Sequence, residues 1–336
     1  MRRKWVFVVL RWAVVILIII IGLFFMIRMP EKSFRGPLPA LSEDEMLLRE
    51  RLKEHVTILG GEIGERNLWH YGELQAAADY IEEQLADLGY EVARQEFTVE
   101  NRAVWNIEAE LTGGSKPGEI FVVGAHYDSV LGSPGSNDNG SGVAAVLEIA
   151  RLLAGKKIER TVRLVAFVNE EPPFFQTGNM GSRVYAARSR ERGERIVGMI
   201  SVETIGYYSD SAGSQKYPFP FSFFYPDTAN FIGFVGNLGS RQLVRSAIAS
   251  FRRNTQFPSE GLAAPGSITG VGWSDHWSFW KEGYPAIMIT DTALFRYPYY
   301  HSMSDTPDKI DYERMARVVA GIARVVAELA GAEQLE

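Results

Sequence analysis

The chain opens on an unbroken apolar stretch and then settles into alternating apolar runs and amphipathic periods. Residues 5–27, WVFVVLRWAVVILIIIIGLFFMI, are apolar on every face apart from Arg11. As a helix rising about 1.5 Å per residue they reach roughly 35 Å, enough for a hydrocarbon core of about 30 Å. Further on, apolar positions three and four apart predict helices over 73–88, 142–153, 181–192, 240–252 and 312–329. Short apolar or loosely alternating runs predict strands over 104–111, 119–125, 161–168, 196–202 and 286–290. Strands alternating with helices predict one three-layer α/β/α sandwich with a mostly parallel, mixed sheet, preceded by one N-terminal transmembrane helix.

A cleaved signal peptide is the other reading of the first stretch. Its apolar region would span about 7–15 residues and end at a small-residue cleavage site. Here the run is longer, and FFMIRMPEKSF offers no such site, which favours an uncleaved anchor. Arg2, Arg3 and Lys4 before the span balance Arg28, Lys32 and Arg35 after it; Arg11, near the N-terminal interface, tips the count toward a cytoplasmic N-terminus. The expectation is a single-pass membrane protein. It has a cytoplasmic tail at 1–4, an anchor at 5–27 in the lipid bilayer, a Pro-rich linker at 28–45 and an extracytoplasmic domain at 46–336.

Composition narrows the chemistry. The 336 residues are 46% hydrophobic and 23% charged, an ordinary globular balance. A net charge of −6 argues against a nucleic-acid surface, and none is expected. With no cysteine, any metal must rest on His, Asp or Glu. Only His55, His70, His126, His276 and His301 offer imidazole; His70, beside Trp69, reads as structural.

In open α/β sheets ligands gather at the carboxyl ends of the strands. Polar groups stand there in this chain: His126-Tyr-Asp128 after EIFVVGA, Asn169-Glu170-Glu171 after TVRLVAFV, Glu203 after GMISV, and Asp291 after AIMIT with His301 in the following loop. Each alone has a plain alternative. His126-x-Asp128 also suits a salt-bridging pair, and SPGSNDNGSG with Asp138 also suits a helix cap. The paired Glu170 and Glu171 also suit a solvated loop. Adjacent carboxylates after a buried strand repel each other, however, and a cation beside them removes that cost.

HYDS, SNDNGSGVAAVLEIAR, NEE with GS-x-x-YA, ETIG, SDHWSFW-x-x-GYPA and YHSMSDTPDKID follow one another in that order. The set resembles the zinc aminopeptidase family that includes bacterial leucyl aminopeptidase and aminopeptidase S, with glutamate carboxypeptidase and glutaminyl cyclase as more distant relations. The resemblance covers residues 66–326. It implies a zinc exopeptidase acting on peptides with a free N-terminus. Asp138 would bridge two zinc ions, Glu171 and His301 would complete one site, and His126 and Glu203 the other. Glu170 would be the general base and Asp128 the acid that orients His126. Asp275, His276 and Tyr300 would lie near substrate; Asp275 and His276 also suit a helix cap. The family's usual acid at the Glu203 position is Asp, so the extra methylene bears on whether two zinc ions or one are held. A glutaminyl-peptide cyclotransferase-like enzyme on the same site is the alternative, and a metal-free, membrane-tethered binding domain is a further one. The aromatic segment 207–231 reads either as packing or as a pocket for the first side chain of a peptide.

Overall fold

A computed structural model of the chain describes residues 2–332. The apolar runs meet in one sheet, which among the described residues has eight strands. These are β1 (Val92–Val99), β2 (Arg102–Leu111), β3 (Lys116–His126), β4 (Arg160–Phe167), β5 (Arg195–Glu203), β6 (Ile232–Gly236), β7 (Ser259–Ala263) and β8 (Ala286–Thr290). Their order across the sheet is β1-β2-β4-β3-β5-β8-β6-β7. The centre, β4-β3-β5-β8, is parallel, as expected of strands apolar on both faces. An antiparallel β1–β2 hairpin flanks one side, and the parallel pair β6–β7 joins β8 antiparallel on the other.

The helices are α1 (Arg2–Ile27), α2 (Glu43–Val56), α3 (Tyr71–Asp87), α4 (Gly142–Leu153), α5 (Gly181–Glu191), α6 (Arg241–Asn254), α7 (His276–Lys281) and α8 (Tyr312–Ala330). Alternation along β3 makes the layers. Phe121, Val123 and Ala125 face one core with α2, α3, α4, α6 and α8; Ile120 and Val122 face a second with Tyr185 of α5 and Phe279 of α7. The three-layer expectation therefore holds.

The segment read as a linker is different. Ser42 caps α2: its Oγ accepts from the Glu45 amide at 3.1 Å, and the Glu45 carboxylate accepts from the Ser42 amide at 3.0 Å. With Glu43, Asp44 and Glu45 in the first turn, this is a capping box on a favourable helix dipole, so the 45/46 boundary falls inside a helix. Residues 28–42 are strapped to the domain. Arg245 donates to the Arg28 carbonyl (2.7 Å), Arg252 to those of Pro30 and Glu31 (2.9 and 3.0 Å), Ser259 to Ser33 Oγ (2.9 Å) and Arg317 to the Pro39 carbonyl (2.5 Å). Gly261 of β7 leaves room for Met29, where a Cβ would stand 2.7 Å from its Cγ.

Within α1, Leu10–Ile27 has a mean hydropathy of 2.8, and none of it is buried. Such a helix can cross a membrane or serve as a signal sequence. It starts at Arg2, inside the expected tail; Met1 lies outside the described residues.

Candidate metal centre

The ends of β3, β4 and β5 and the loop before α8 bring the predicted acids and histidines together. His126 ends β3, Glu203 ends β5, and Glu170 and Glu171 follow β4 after two residues. Asp138 lies in the kinked turn Ser136–Ser141 that leads into α4, its own backbone non-helical at φ −109°, ψ 93°. Its Oδ1 is 3.4 Å from His126 Nε2 and its Oδ2 is 3.1 Å from His301 Nε2. His126 Nε2 is also 3.4 Å from Glu203 Oε2 and 3.9 Å from Glu170 Oε2, while His301 Nε2 is 3.3 Å from Glu171 Oε2. Two groups result, His126–Asp138–Glu203 and Asp138–Glu171–His301, each with its donor atoms within 4.8 Å of one another. Asp138 belongs to both.

Whether a metal suits them is answered by their unmet valences. Asp138 Oδ2, Glu171 Oε1 and His301 Nε2 are buried and make no hydrogen bond of suitable angle, although Oδ2 and Nε2 stand 3.1 Å apart. Buried polar atoms rarely go unpaired, and these aim at a common space. The donor set of imidazole nitrogen and carboxylate oxygen suits zinc.

The electrostatics agree. Burial pushes the Glu171 carboxyl up to about 7, with Asp138 adding repulsion. Burial also carries Glu170 well above the ordinary carboxylate range, and Glu203 above it. For Asp138, burial acts upward, but the imidazoles of His126 and His301 outweigh it and hold the carboxyl low. Burial would lower His301; Asp138 and Glu171 overcome this and lift it to about 10. The acids outnumber the imidazoles, and a divalent cation would relieve the excess.

The supporting residues explain the loop geometry. The Asp128 carboxylate accepts from the Glu170 amide (3.0 Å) and the Glu171 amide (3.1 Å). It therefore sets the two glutamates. His126 Nδ1 is closer to the Asp128 carbonyl (3.1 Å) than to its carboxylate (3.6 Å). The expected orienting acid thus works mainly through its neighbours' backbone. Asn139 Oδ1 accepts from Gly142 and Thr204 (both 3.0 Å), tying the start of α4 to the end of β5. Ser274 Oγ donates to Glu203 Oε2 at 2.6 Å. Asn169, Thr204 and His301 hold positive φ of 59°, 43° and 53°. Strained backbone therefore sits beside three of the site's acids and histidines.

Sequence reasoning missed three positioning groups. Asp305 accepts from the Asn137 and Asp138 amides (2.8 and 3.1 Å) and from Tyr297 Oη (2.6 Å). Asp291, noted only as a strand-end acid, accepts from Asn137 Nδ2 (3.0 Å). Arg66 is fully buried and donates to the carbonyls of Tyr127, Leu59, Gly64, Pro134 and Gly135 at 2.5–3.1 Å. Asp305 had a signal in its place four residues past His301. A lone arginine 60 residues before His126 carries none.

The residues expected near substrate separate. Tyr300 stacks on His301, with ring centroids 3.8 Å apart. It also lines an apolar cavity of about 110 Å³ that reaches Glu203 and is walled by Tyr217, Phe221, Tyr225, Leu262 and Met288. Part of the aromatic segment is thus cavity wall. Asp275 stands at the N-cap position of α7 without a capping bond, its buried carboxylate unpartnered. His276 turns away from the cavity: its Nε2 is 2.8 Å from the Val271 carbonyl, and its ring meets Trp280 edge-on at 4.6 Å. Burial lowers this imidazole to about 4. Because the folded pKa lies below that of a free histidine, its neutral form supports folding fully above about pH 6.5, and that support fades as pH falls toward 4. We expect His276→Gln to flatten the loss of stability over this window by up to about 3 kcal/mol, read by urea unfolding at each pH. Equal slopes for parent and variant would contradict it. Of the remaining histidines, His55 contacts Tyr80 (2.6 Å) and Glu148 (3.3 Å), and His70 stands 3.4 Å from Glu65, both outside the cluster.

Residues 106–326 match peptidase family M28. The chain is 39% identical to YfbL of Escherichia coli K12, an uncharacterised protein, over 81% of this chain and 86% of that one. It is 29% identical to a probable leucine aminopeptidase 1 of Trichophyton verrucosum over 68% of this chain, and spans 59% of that protein's length. Among solved structures it is similar to BSAP, a zinc aminopeptidase from Bacillus subtilis (TM-score 0.67, 16% identity, 84% of this chain and 95% of that one). A glutaminyl cyclase of Porphyromonas gingivalis shares the fold at a TM-score of 0.59 and 18% identity, over 84% of this chain and 98% of its own.

Proposed function

The chain belongs to peptidase family M28 and is a metallopeptidase; we propose that it is an aminopeptidase removing the first residue of peptides with a free N-terminus. The observation that carries the proposal is Asp138 shared between two ligand groups, with Glu170 beside them. His126, Asp138 and Glu203 would hold one zinc, and Asp138, Glu171 and His301 a second. Zinc bound there supplies Lewis acidity and makes water nucleophilic near neutral pH. Glu170, its backbone fixed by Asp128, takes the proton of the attacking water and delivers it to the departing amine. The cavity beside Glu203 and Tyr300 receives the first side chain, and its wall selects an apolar one. The acid-rich surround favours an ammonium N-terminus over an acylated one.

Zinc content of the full chain, measured with turnover of leucyl, N-acetyl-leucyl and glutaminyl peptides, tests this. The expected result is bound zinc, cleavage of the leucyl peptide and none of the acetylated one. A zinc-free protein would refute the assignment. Pyroglutamyl product without leucyl hydrolysis would establish the cyclotransferase reading instead. Because Asp138 serves both groups, Asp138→Ala should empty both sites, whereas Glu203→Ala should spare the Glu171–His301 site. Equal zinc loss in the two variants would contradict the sharing.

We also read α1 as an uncleaved membrane anchor with the peptidase domain on the extracytoplasmic side. A domain resistant to protease added to intact cells or spheroplasts would reverse that orientation.

A further inference from the structure

The chain from Tyr217 to Pro226 reads YPFPFSFFYP, ten residues without a charge. Its aromatic rings divide into two sets. Phe221 is buried, Tyr217 and Tyr225 stack at 5.6 Å, and the two tyrosine hydroxyls donate to the Pro226 and Gly261 carbonyls at 2.6 and 2.7 Å. This inward set walls the cavity and fixes the loop. The outward set is Phe219, Phe223 and Phe224, respectively 84%, 75% and 46% exposed. Phe219 and Phe223 meet edge-on at 6.1 Å, so they form one patch. None of the three lines the cavity. A loop pinned by its inward rings that presents adjacent phenylalanines to water marks a surface that something covers.

What covers it is indicated by the neighbouring element. Met26 and Ile27, in the last turn of α1, pack into the same apolar cluster as Phe221, Tyr217 and Tyr225. Cations fasten that turn: Arg241 donates to the Phe25 carbonyl at 2.9 Å with its guanidinium 3.8 Å from the Phe25 ring, and Arg245 donates to the Arg28 carbonyl. Positive groups on the terminal carbonyls of a helix oppose its negative end. The exposed patch is therefore clamped to the exit of the apolar helix, where a bilayer would meet the domain. Aromatic side chains favour that depth.

We propose that Phe219, Phe223 and Phe224 insert into the lipid head-group region beside the exit of α1, an inference that rests on α1 being an uncleaved membrane anchor. The partner is the bilayer surface. Since the other side of the loop walls the cavity, the cavity stands at the membrane, placed for peptide N-termini held there.

The absence of native cysteine makes the test direct. Full-length Phe223→Cys, labelled with an environment-sensitive fluorophore, is reconstituted in phosphatidylcholine–phosphatidylglycerol vesicles beside Glu91→Cys, an exposed site just before β1. The Phe223 probe should shift to the blue and be quenched by bilayer-borne doxyl lipid, while the Glu91 probe stays water-like. In the second arm, Phe219→Ser/Phe223→Ser/Phe224→Ser should cleave a soluble leucyl anilide at the parent rate. It should lose on the order of tenfold on a lipid-anchored peptide in the same vesicles, equivalent to about 1.4 kcal/mol of lost interfacial contact. A water-exposed Phe223 probe in protein that resists alkaline carbonate overturns the insertion alone. Release of the whole chain by carbonate overturns the anchor and the insertion together. Equal loss on both substrates also refutes the membrane role.

Discussion

Glu170→Gln should retain its zinc and lose at least about two orders of magnitude in kcat, the usual range for removing a general base. The amide keeps the volume and the backbone contact: the Glu170 amide still donates to Asp128 at 3.0 Å, and the ligand groups around Asp138 are untouched. What disappears is a group that can both accept and return a proton. Glu170 is suited to this because its carboxylate is buried beside the ligand groups, with Oε2 3.9 Å from His126 Nε2 and its backbone held by Asp128. Zinc stoichiometry equal to the parent with a near-normal kcat would remove Glu170 from the reaction. Zinc loss in the variant would make it a ligand.

Arg66→Met should destabilise the fold by about 3–5 kcal/mol, the cost of breaking a buried, fully bonded charge. Burial lowers this guanidinium to about 10, so it is still charged at neutral pH. Its five carbonyl partners lie in the π-helical turn Thr57–Ile63 and just after it, and in the chain between His126 and Asp138. The methionine would leave those carbonyls unpaired in the interior. Since two partners, Pro134 and Gly135, shape the approach to Asp138, zinc affinity should fall with stability. Unfolding by urea with and without zinc checks both. A midpoint within about 1 kcal/mol of the parent would show that the loop holds itself.

How much of this was written in the sequence depends on which residues carry their own signal. The central strands did, because a parallel strand buried on both faces must be apolar throughout, as in Phe121 to Ala125. That His126, Glu170, Glu171 and Glu203 would gather was legible as well, since the carboxyl ends of such strands converge, whereas the ligand roles of Asp138 and His301 rested on the family resemblance. Helix α2 was not. Its opening, SEDE, is as polar as a linker, although the same residues form a capping box. Strands β6 and β7, IGFVG and SEGLA, are short and glycine-bearing, so they carry little strand signal. Gly261 is there for Met29, a partner more than 200 residues away. Arg66 and Asp305 escaped notice, and Asp291 was read only as a strand-end acid, for a related reason. Arg66 and Asp305 work chiefly on backbone amides and carbonyls and Asp291 on the Asn137 side chain, partners fixed only once the chain has folded.

The strap along α6, β7 and α8 also bears on how substrate is met. A free tether over residues 28–42 would wander by roughly 20 Å and let the domain sample a broad shell above its anchor. Strapped from Arg28 to Pro39, the domain cannot swing out to sweep for peptides. Were α1 to lie in the bilayer as proposed, membrane-held peptides would reach the domain by lateral diffusion, while soluble ones would have to find an enzyme held at one height and orientation.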